Sequence, residues 1–152
     1  MNKNRYCMRS CIAIVGTIVV LSALLFASKE SLDQLIQRAQ SARVADQPGL
    51  YIEIAQRELK AADEAYVAGK PDEGKRAVSD LLTYADKAHD AAKDTGKKQK
   101  NIEISLRKMA AKLRDIKRTQ SADEQEVLQK AADRLEDLRT DLLSHMFGKG
   151  SK

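Results

Sequence analysis

A seam of small and apolar residues, spaced alternately three and four positions apart, constrains this fold more than any other feature of the chain. Residues at that spacing share one face of a helix, so the seam predicts a helix that packs against other helices. The seam comprises Val78, Leu81, Ala85, Ala88, Ala92, Thr95, Gln99, Ile102, Leu106, Met109, Leu113 and Ile116. Two of the twelve, Thr95 and Gln99, are polar, and they flank Gly96.

Gly96 leaves two architectures open. If the helix continues through it, residues 71–119 form one rod of roughly 70 Å at ~1.5 Å per residue. The seam keeps its phase across Gly96, and Lys97 and Lys98 place positive charge where a new helix would begin, which is unfavourable. A lone glycine within a helix costs only about 1 kcal/mol. We therefore favour antiparallel helical hairpins around a long central helix.

The alternative is that Gly96 ends a helix. Four helices of similar length would then form an up-and-down four-helix bundle. Their expected bounds are Pro48–Ala68, Pro71–Asp94, Lys97–Thr119 and Ala122–Phe147. Both alternatives are all-α, as the composition also indicates, because aromatic residues are 4% of the chain and glycine and proline are few.

The first thirty residues have the order of an export signal. Lys3, Arg5 and Arg9 precede an apolar run at 12–27. We expect residues 1–28 to be a signal peptide or an N-terminal membrane anchor, and the body to lie outside the cytoplasm, periplasmic or anchored in the inner membrane. The run of 16 residues lies between the lengths typical of the two, so both remain open. Residues 29–147 are predicted to be a helical domain and 148–152 a disordered tail.

Local signals mark the helix ends. Ser31 with Gln34 and Ser121 with Glu124 have the form of capping boxes, the second being the clearer. Pro48 suits the first turn of a helix, and the sequence Gly69-Lys70-Pro71 predicts a tight antiparallel turn.

The residues around that turn resemble the junction between the two helices of a tetratricopeptide repeat. They are Ala62, Ala65, Tyr66, Gly69, Lys70, Glu73, Ala77 and Leu81. The resemblance covers about one repeat and has no second copy, so it implies a single helical hairpin with a role in protein or peptide binding. The whole layout also resembles uncharacterised bacterial exported helical proteins, which implies no activity.

A basic stretch, Lys93 to Arg118, carries ten basic and three acidic residues. It either pairs with the acidic last helix, which is the interpretation we favour, or binds an anionic partner such as an envelope polymer or a membrane surface. No aromatic residue interrupts the stretch, which does not favour single-stranded nucleic acid. The candidate contact residues are Lys97, Lys98, Lys100, Arg107, Lys108, Lys112 and Arg114.

Other candidate sites have little support. Asp86 and His89 have the spacing of a metal-ligand pair but lack a second pair, and Ala85 and Ala88 beside them place the pair at the edge of the seam, facing water. Met146 and Phe147, like the tyrosines, are expected to plug the bundle; alternatively they mark an exposed partner site.

The sequence does not indicate catalysis. Residues 28–152 contain no cysteine and no phosphate-binding loop, and their two histidines are far apart in the sequence. We therefore expect no catalytic residue, no cofactor and no metal. The sequence predicts a non-enzymatic exported interaction protein of the bacterial envelope, a scaffold, adaptor or chaperone-like binder, that binds a protein partner and not nucleic acid. It leaves open whether the chain also forms a homo-oligomer through the seam. The alternative is a binder of anionic polymer or membrane through residues 93–118.

Overall fold

The computed structural model describes residues 30–148, and all regular structure in that range is helical. The five helices are α1 (Leu32–Ser41), α2 (Gln47–Val67), α3 (Pro71–Thr95), α4 (Gln99–Lys117) and α5 (Ala122–Phe147). The expected export segment at 1–28 and nearly all of the expected disordered tail lie outside the described residues. Among residues 30–148, no helix combines the length with the hydropathy that a membrane-spanning segment requires.

The favoured prediction of one continuous central helix is wrong, because the chain reverses direction between α3 and α4. Gly96 ends α3 with φ +67°, in the left-handed region, and Lys98 has φ 57° just before α4 begins. Thr95 supports the loop, since its hydroxyl accepts a hydrogen bond from the Lys97 N–H at 3.2 Å. The seam keeps its phase because both helices turn their apolar faces to one shared core, where α2 and α5 also bury apolar residues.

The predicted four-helix alternative agrees with the observed bounds within two residues, and consecutive helices alternate in direction. Two antiparallel hairpins, α2–α3 and α4–α5, lie side by side. Across the hairpins, α3 runs parallel to α5, as Lys75 contacts Glu124 and Asp86 contacts Arg134. The described part of the chain is thus a bundle of four helices, against which α1 packs.

The core is made of the predicted seam. All ten of its apolar members are buried, together with residues of α2 and α5, in one cluster. A smaller cluster, Leu35, Ala39 and Ile54, holds α1 against the first half of α2. The Tyr51 and Tyr84 rings, 6.4 Å apart, lie beside both clusters and fill the space that the small residues leave.

The α2–α3 turn is formed as predicted. Gly69, with φ +70°, donates to the Tyr66 carbonyl at 3.1 Å, and Lys70 donates to the Ala65 carbonyl at 2.9 Å. These two bonds form a Schellman motif, which satisfies carbonyls at the end of α2. The Tyr66 ring then lies against Gly74, where a Cβ would come within 2.8 Å of it, so the hairpin closes tightly here.

One of the two predicted capping boxes is absent. At Ser31 the box is complete, with Gln34 bonded in both directions. At Ser121, which had the clearer pattern, no side-chain cap bond forms. Glu124 instead forms an ion pair with Lys75 of α3 at 3.1 Å. A tertiary contact to a full charge has displaced the local bond that the sequence pattern predicts.

Candidate interaction surface

The basic stretch divides into cations that the bundle pairs and cations that it does not. Lys93 contacts Asp141 at 2.7 Å, Lys112 contacts Asp63 at 2.7 Å, and Arg114 contacts Glu136 at 3.2 Å. These pairs connect neighbouring helices. Pairing with the acidic last helix, the favoured interpretation of the stretch, is therefore observed for Lys93 and Arg114, whereas Lys112 pairs with α2 instead. Two of the seven candidate contacts, Lys112 and Arg114, are thus paired within the bundle.

The other five candidate contacts form no ion pair within residues 30–148, and all five are exposed. We call them the basic face: Lys97, Lys98, Lys100, Arg107 and Lys108. At ~100° of rotation per residue, the three on α4 fall within a sector of about 100° on the side away from the core. Complementarity between α4 and its neighbours does not explain this face.

The residues around the basic face carry an excess of positive charge. Residues 97–118 contain nine basic and two acidic residues, whereas α5 contains seven acidic and three basic residues. One of the two acids, Glu103, is held by Arg139 of α5 at 2.6 Å, and the other, Asp115, by Arg118 at 3.4 Å. Both acidic side chains of residues 97–118 are therefore paired with other cations and do not neutralise the basic face, so the solvent-exposed side of α4 is positively charged. We call the part of the basic face on α4, Lys100, Arg107 and Lys108, the row.

A groove continues this surface around one end of the bundle, and no sequence pattern indicates it. The groove has a volume of about 590 Å³ and lies between the end of α1, the start of α2 and the loop before α4. Arg38 and Arg43 line it together with Lys98. Lys98 is more than fifty positions from the two arginines in sequence, so only the fold brings them together.

A second polar cluster, between α3 and α5, corrects the expectation that His89 faces water. His89 is only 5% exposed. Its Nδ1 lies 2.9 Å from Asp90 and its Nε2 lies 2.8 Å from Asp141, which also accepts a bond from Lys93. Because a carboxylate oxygen only accepts hydrogen bonds, both contacts are hydrogen bonds together only when both ring nitrogens carry protons.

The ionisation of this cluster is coupled to its geometry. The Lys93 hydrogen bond lowers the pKa of Asp141, the bond from His89 adds to that effect, and burial opposes it. The same bond raises the pKa of Lys93. Asp86, the other half of the predicted ligand pair, accepts a bond from Arg134 at 2.7 Å. No group of three or more potential ligand residues in the range 30–148 is placed to hold a metal ion.

The two C-terminal candidate contacts, Met146 and Phe147, differ in exposure. Phe147 is 74% exposed, so the expectation that it plugs the bundle is wrong. Met146 is half-buried. Tyr66, by contrast, is buried as expected, although its hydroxyl has no hydrogen-bond partner within the described residues. Phe147 is a single exposed ring, so on its own it marks no extended docking surface.

Comparison with known proteins adds nothing to this geometry: no protein family, no curated protein and no solved structure matches the chain.

Proposed function

We propose that this chain is a non-enzymatic interaction protein of the bacterial envelope, exported or anchored by its first 28 residues, which acts by contact through the basic face. The main support is that five exposed cations on and beside α4 have no ion-pair partner within the described residues, whereas Lys112 and Arg114 on the same helix do. The charges of α4 that face neighbouring helices are paired, and those that face solvent are not. Such a charge distribution favours binding of an external anionic group.

The buried polar groups also favour a contact role over a catalytic one. Among the described residues, the carboxyl of Glu58 and the imidazole of His89 are buried, and both lie between packed helices. Burial, followed by repulsion from Asp80, raises the pKa of Glu58, which is the expected behaviour of a carboxyl enclosed in a helical interface. The single hairpin similar to a tetratricopeptide repeat agrees with this role, since that resemblance implies binding.

Photo-crosslinking in cells tests the proposal. A photoreactive residue placed at Ala111, which is exposed between the basic side chains of α4, reports what touches the basic face. A matched probe at Ala61, exposed on α2, reports background. Both probes are compared in the full-length chain and in a variant that combines Lys100→Gln, Arg107→Gln and Lys108→Gln.

We expect a defined adduct from position 111 that disappears in the triple variant, and none from position 61. Adducts that are equal at both positions, or that persist without the three cations, would contradict the proposal. Digestion of the adduct with protease shows whether the partner is a protein.

A further inference from the structure

We propose that the basic face and the adjoining groove together bind a linear polyanion, a flexible chain with a phosphate or carboxylate on each repeat. This inference rests on the proposed function and names the class of partner. Its starting observation is that Lys98 belongs to both parts: it follows the loop residue Lys97 and also lines the groove with Arg38 and Arg43.

Two local features define the position of Lys98, its backbone conformation and the contact of its side chain with Gly49. Its φ of 57° is in the left-handed region, which is strained for a non-glycine residue. Its side chain lies over Gly49 in the first turn of α2, where the ammonium group occupies the space that a Cβ would need. A glycine inside a helix is itself unfavourable relative to alanine. Both features carry a cost, and the Lys98 ammonium group lies against Gly49, which also lines the groove.

The acidic residues of the groove do not neutralise Lys98. Asp46 accepts a bond from Arg43 at 3.1 Å, and Glu53 is bonded to Arg57 at 2.7 Å. Each carboxylate thus has its own cation. The Arg43 side chain is 89% exposed, so the remaining N–H groups of its guanidinium face solvent and are open to an anionic ligand.

The shape of the surface favours a chain over a plane or a small ion. On α4 the basic face extends about 12 Å from Lys100 to Lys108 at ~1.5 Å per residue, which is longer than one phosphate or carboxylate group can span. The groove lies at the end of that row and is concave. A lipid surface can lie against the exposed row but cannot enter the groove, whereas a flexible polymer can follow both. Neither residues 97–118 nor the lining of the groove contain an aromatic side chain, so no base-stacking platform is present there.

Binding of polyphosphate to the full-length chain, measured between about 50 and 200 mM salt, tests this inference. Log affinity falls with log salt by roughly 0.7 per neutralised charge for single-stranded polyanions. The row variant combines Lys100→Gln, Arg107→Gln and Lys108→Gln, and the groove variant combines Arg43→Gln and Lys98→Gln. A matched control removes three lysines elsewhere on the bundle, Lys60→Gln, Lys70→Gln and Lys130→Gln, each of which is exposed and forms a pair within its own helix or turn.

We expect the row variant to reduce the salt slope by about 2 and the groove variant to reduce it by about 1.4, with the control unchanged. Circular dichroism confirms that each variant is folded. Failure of polyphosphate to bind, or a groove variant that binds like the wild type, would overturn the inference. Anionic lipid vesicles that bind through the row alone would also overturn it and would identify a membrane partner instead.

These outcomes separate the inference from the proposed function. If position 111 forms a crosslink that depends on the three cations and the partner is a protein, the contact role is supported and the polyanion inference is wrong. If no crosslink depends on the basic face, the contact role itself fails.

Discussion

Replacing Gly96 by alanine gives effects of opposite sign for the two architectures that the sequence leaves open. In the structure Gly96 has φ +67°, and nothing lies within 4 Å of the position where a Cβ would be placed. Gly96→Ala therefore gains no contact and incurs the left-handed penalty of about 1–2 kcal/mol. In a continuous helix the same change would stabilise the chain by about 1 kcal/mol. The two architectures thus differ by about 2–3 kcal/mol in the expected result.

Lys98 provides the complementary test. Lys98→Gly relieves left-handed strain but adds entropy to the unfolded chain, so we expect stability to stay the same or to rise by up to about 1 kcal/mol. Lys108→Gly, in the exposed interior of α4, is the matched control and should cost about 1 kcal/mol. Gly69→Ala is the second control, since Gly69 has φ +70° with open space around it and should respond as Gly96 does.

Urea unfolding followed by circular dichroism measures all four variants. A more stable Gly96→Ala protein, together with a less stable Lys98→Gly protein, would refute the chain reversal between α3 and α4.

Three further predictions concern buried or coupled polar groups. Burial and Asp80 raise the pKa of Glu58, so its contribution to stability is greatest below the ordinary glutamate value and is lost as pH rises through the raised pKa. The stability of Glu58→Gln relative to the wild type should therefore increase from about pH 4 to pH 7, reaching about 1 kcal/mol in urea unfolding, and a constant difference would contradict this. Tyr66→Phe should stabilise the bundle by about 1 kcal/mol, because it removes a buried hydroxyl that has no partner within the described residues, and a measured loss of stability would show that a partner exists. The pKa of Asp141 is lowered, so its contribution is present above the ordinary aspartate value and is lost as pH falls through the lowered pKa. Asp141→Asn should thus be less stable than the wild type at neutral pH and converge with it in acid, and equal melting temperatures at neutral pH would contradict the cluster around His89.

The parts of the fold that depend on local chemistry were predictable from the sequence. The Gly69 turn, the proline at the start of α2 and the Ser31 capping box each depend on residues within one or two turns of helix. The apolar members of the seam could be assigned to the core for the same reason, since a 3.6-residue period fixes which side chains share a face.

Two of the failed predictions, the Ser121 cap and the exposure of His89, reflect contacts with residues that are distant in sequence. Glu124 leaves the cap at Ser121 because Lys75 lies opposite it on α3. The phase of the seam across Gly96 did not distinguish a rod from a reversal, because phase alone does not report the sign of φ at one residue. His89 is buried because α5 covers it, and a sequence pattern on α3 carries no information about that neighbour.

The candidate surface was partly predictable. The basic stretch is visible in the sequence, but the division into paired and unpaired cations depends on which helices flank α4. Lys112 is paired because α2 brings Asp63 beside it, whereas Lys108, one turn earlier, faces solvent. The contribution of Arg43 to the same surface follows from the packing of α1 and had no sequence signal.

Lysine footprinting by mass spectrometry, comparing intact cells with the purified full-length chain, tests the proposed contact most directly, because it detects protection whatever the identity of the partner. Lys100 and Lys108 belong to the basic face, while Lys60 and Lys130 are exposed elsewhere and are matched internal controls. We predict that acetylation of Lys100 and Lys108 is reduced in cells relative to the purified chain, while acetylation of Lys60 and Lys130 is unchanged. Equal reactivity of the four lysines in both settings would contradict the proposal that the basic face is where this protein meets its partner.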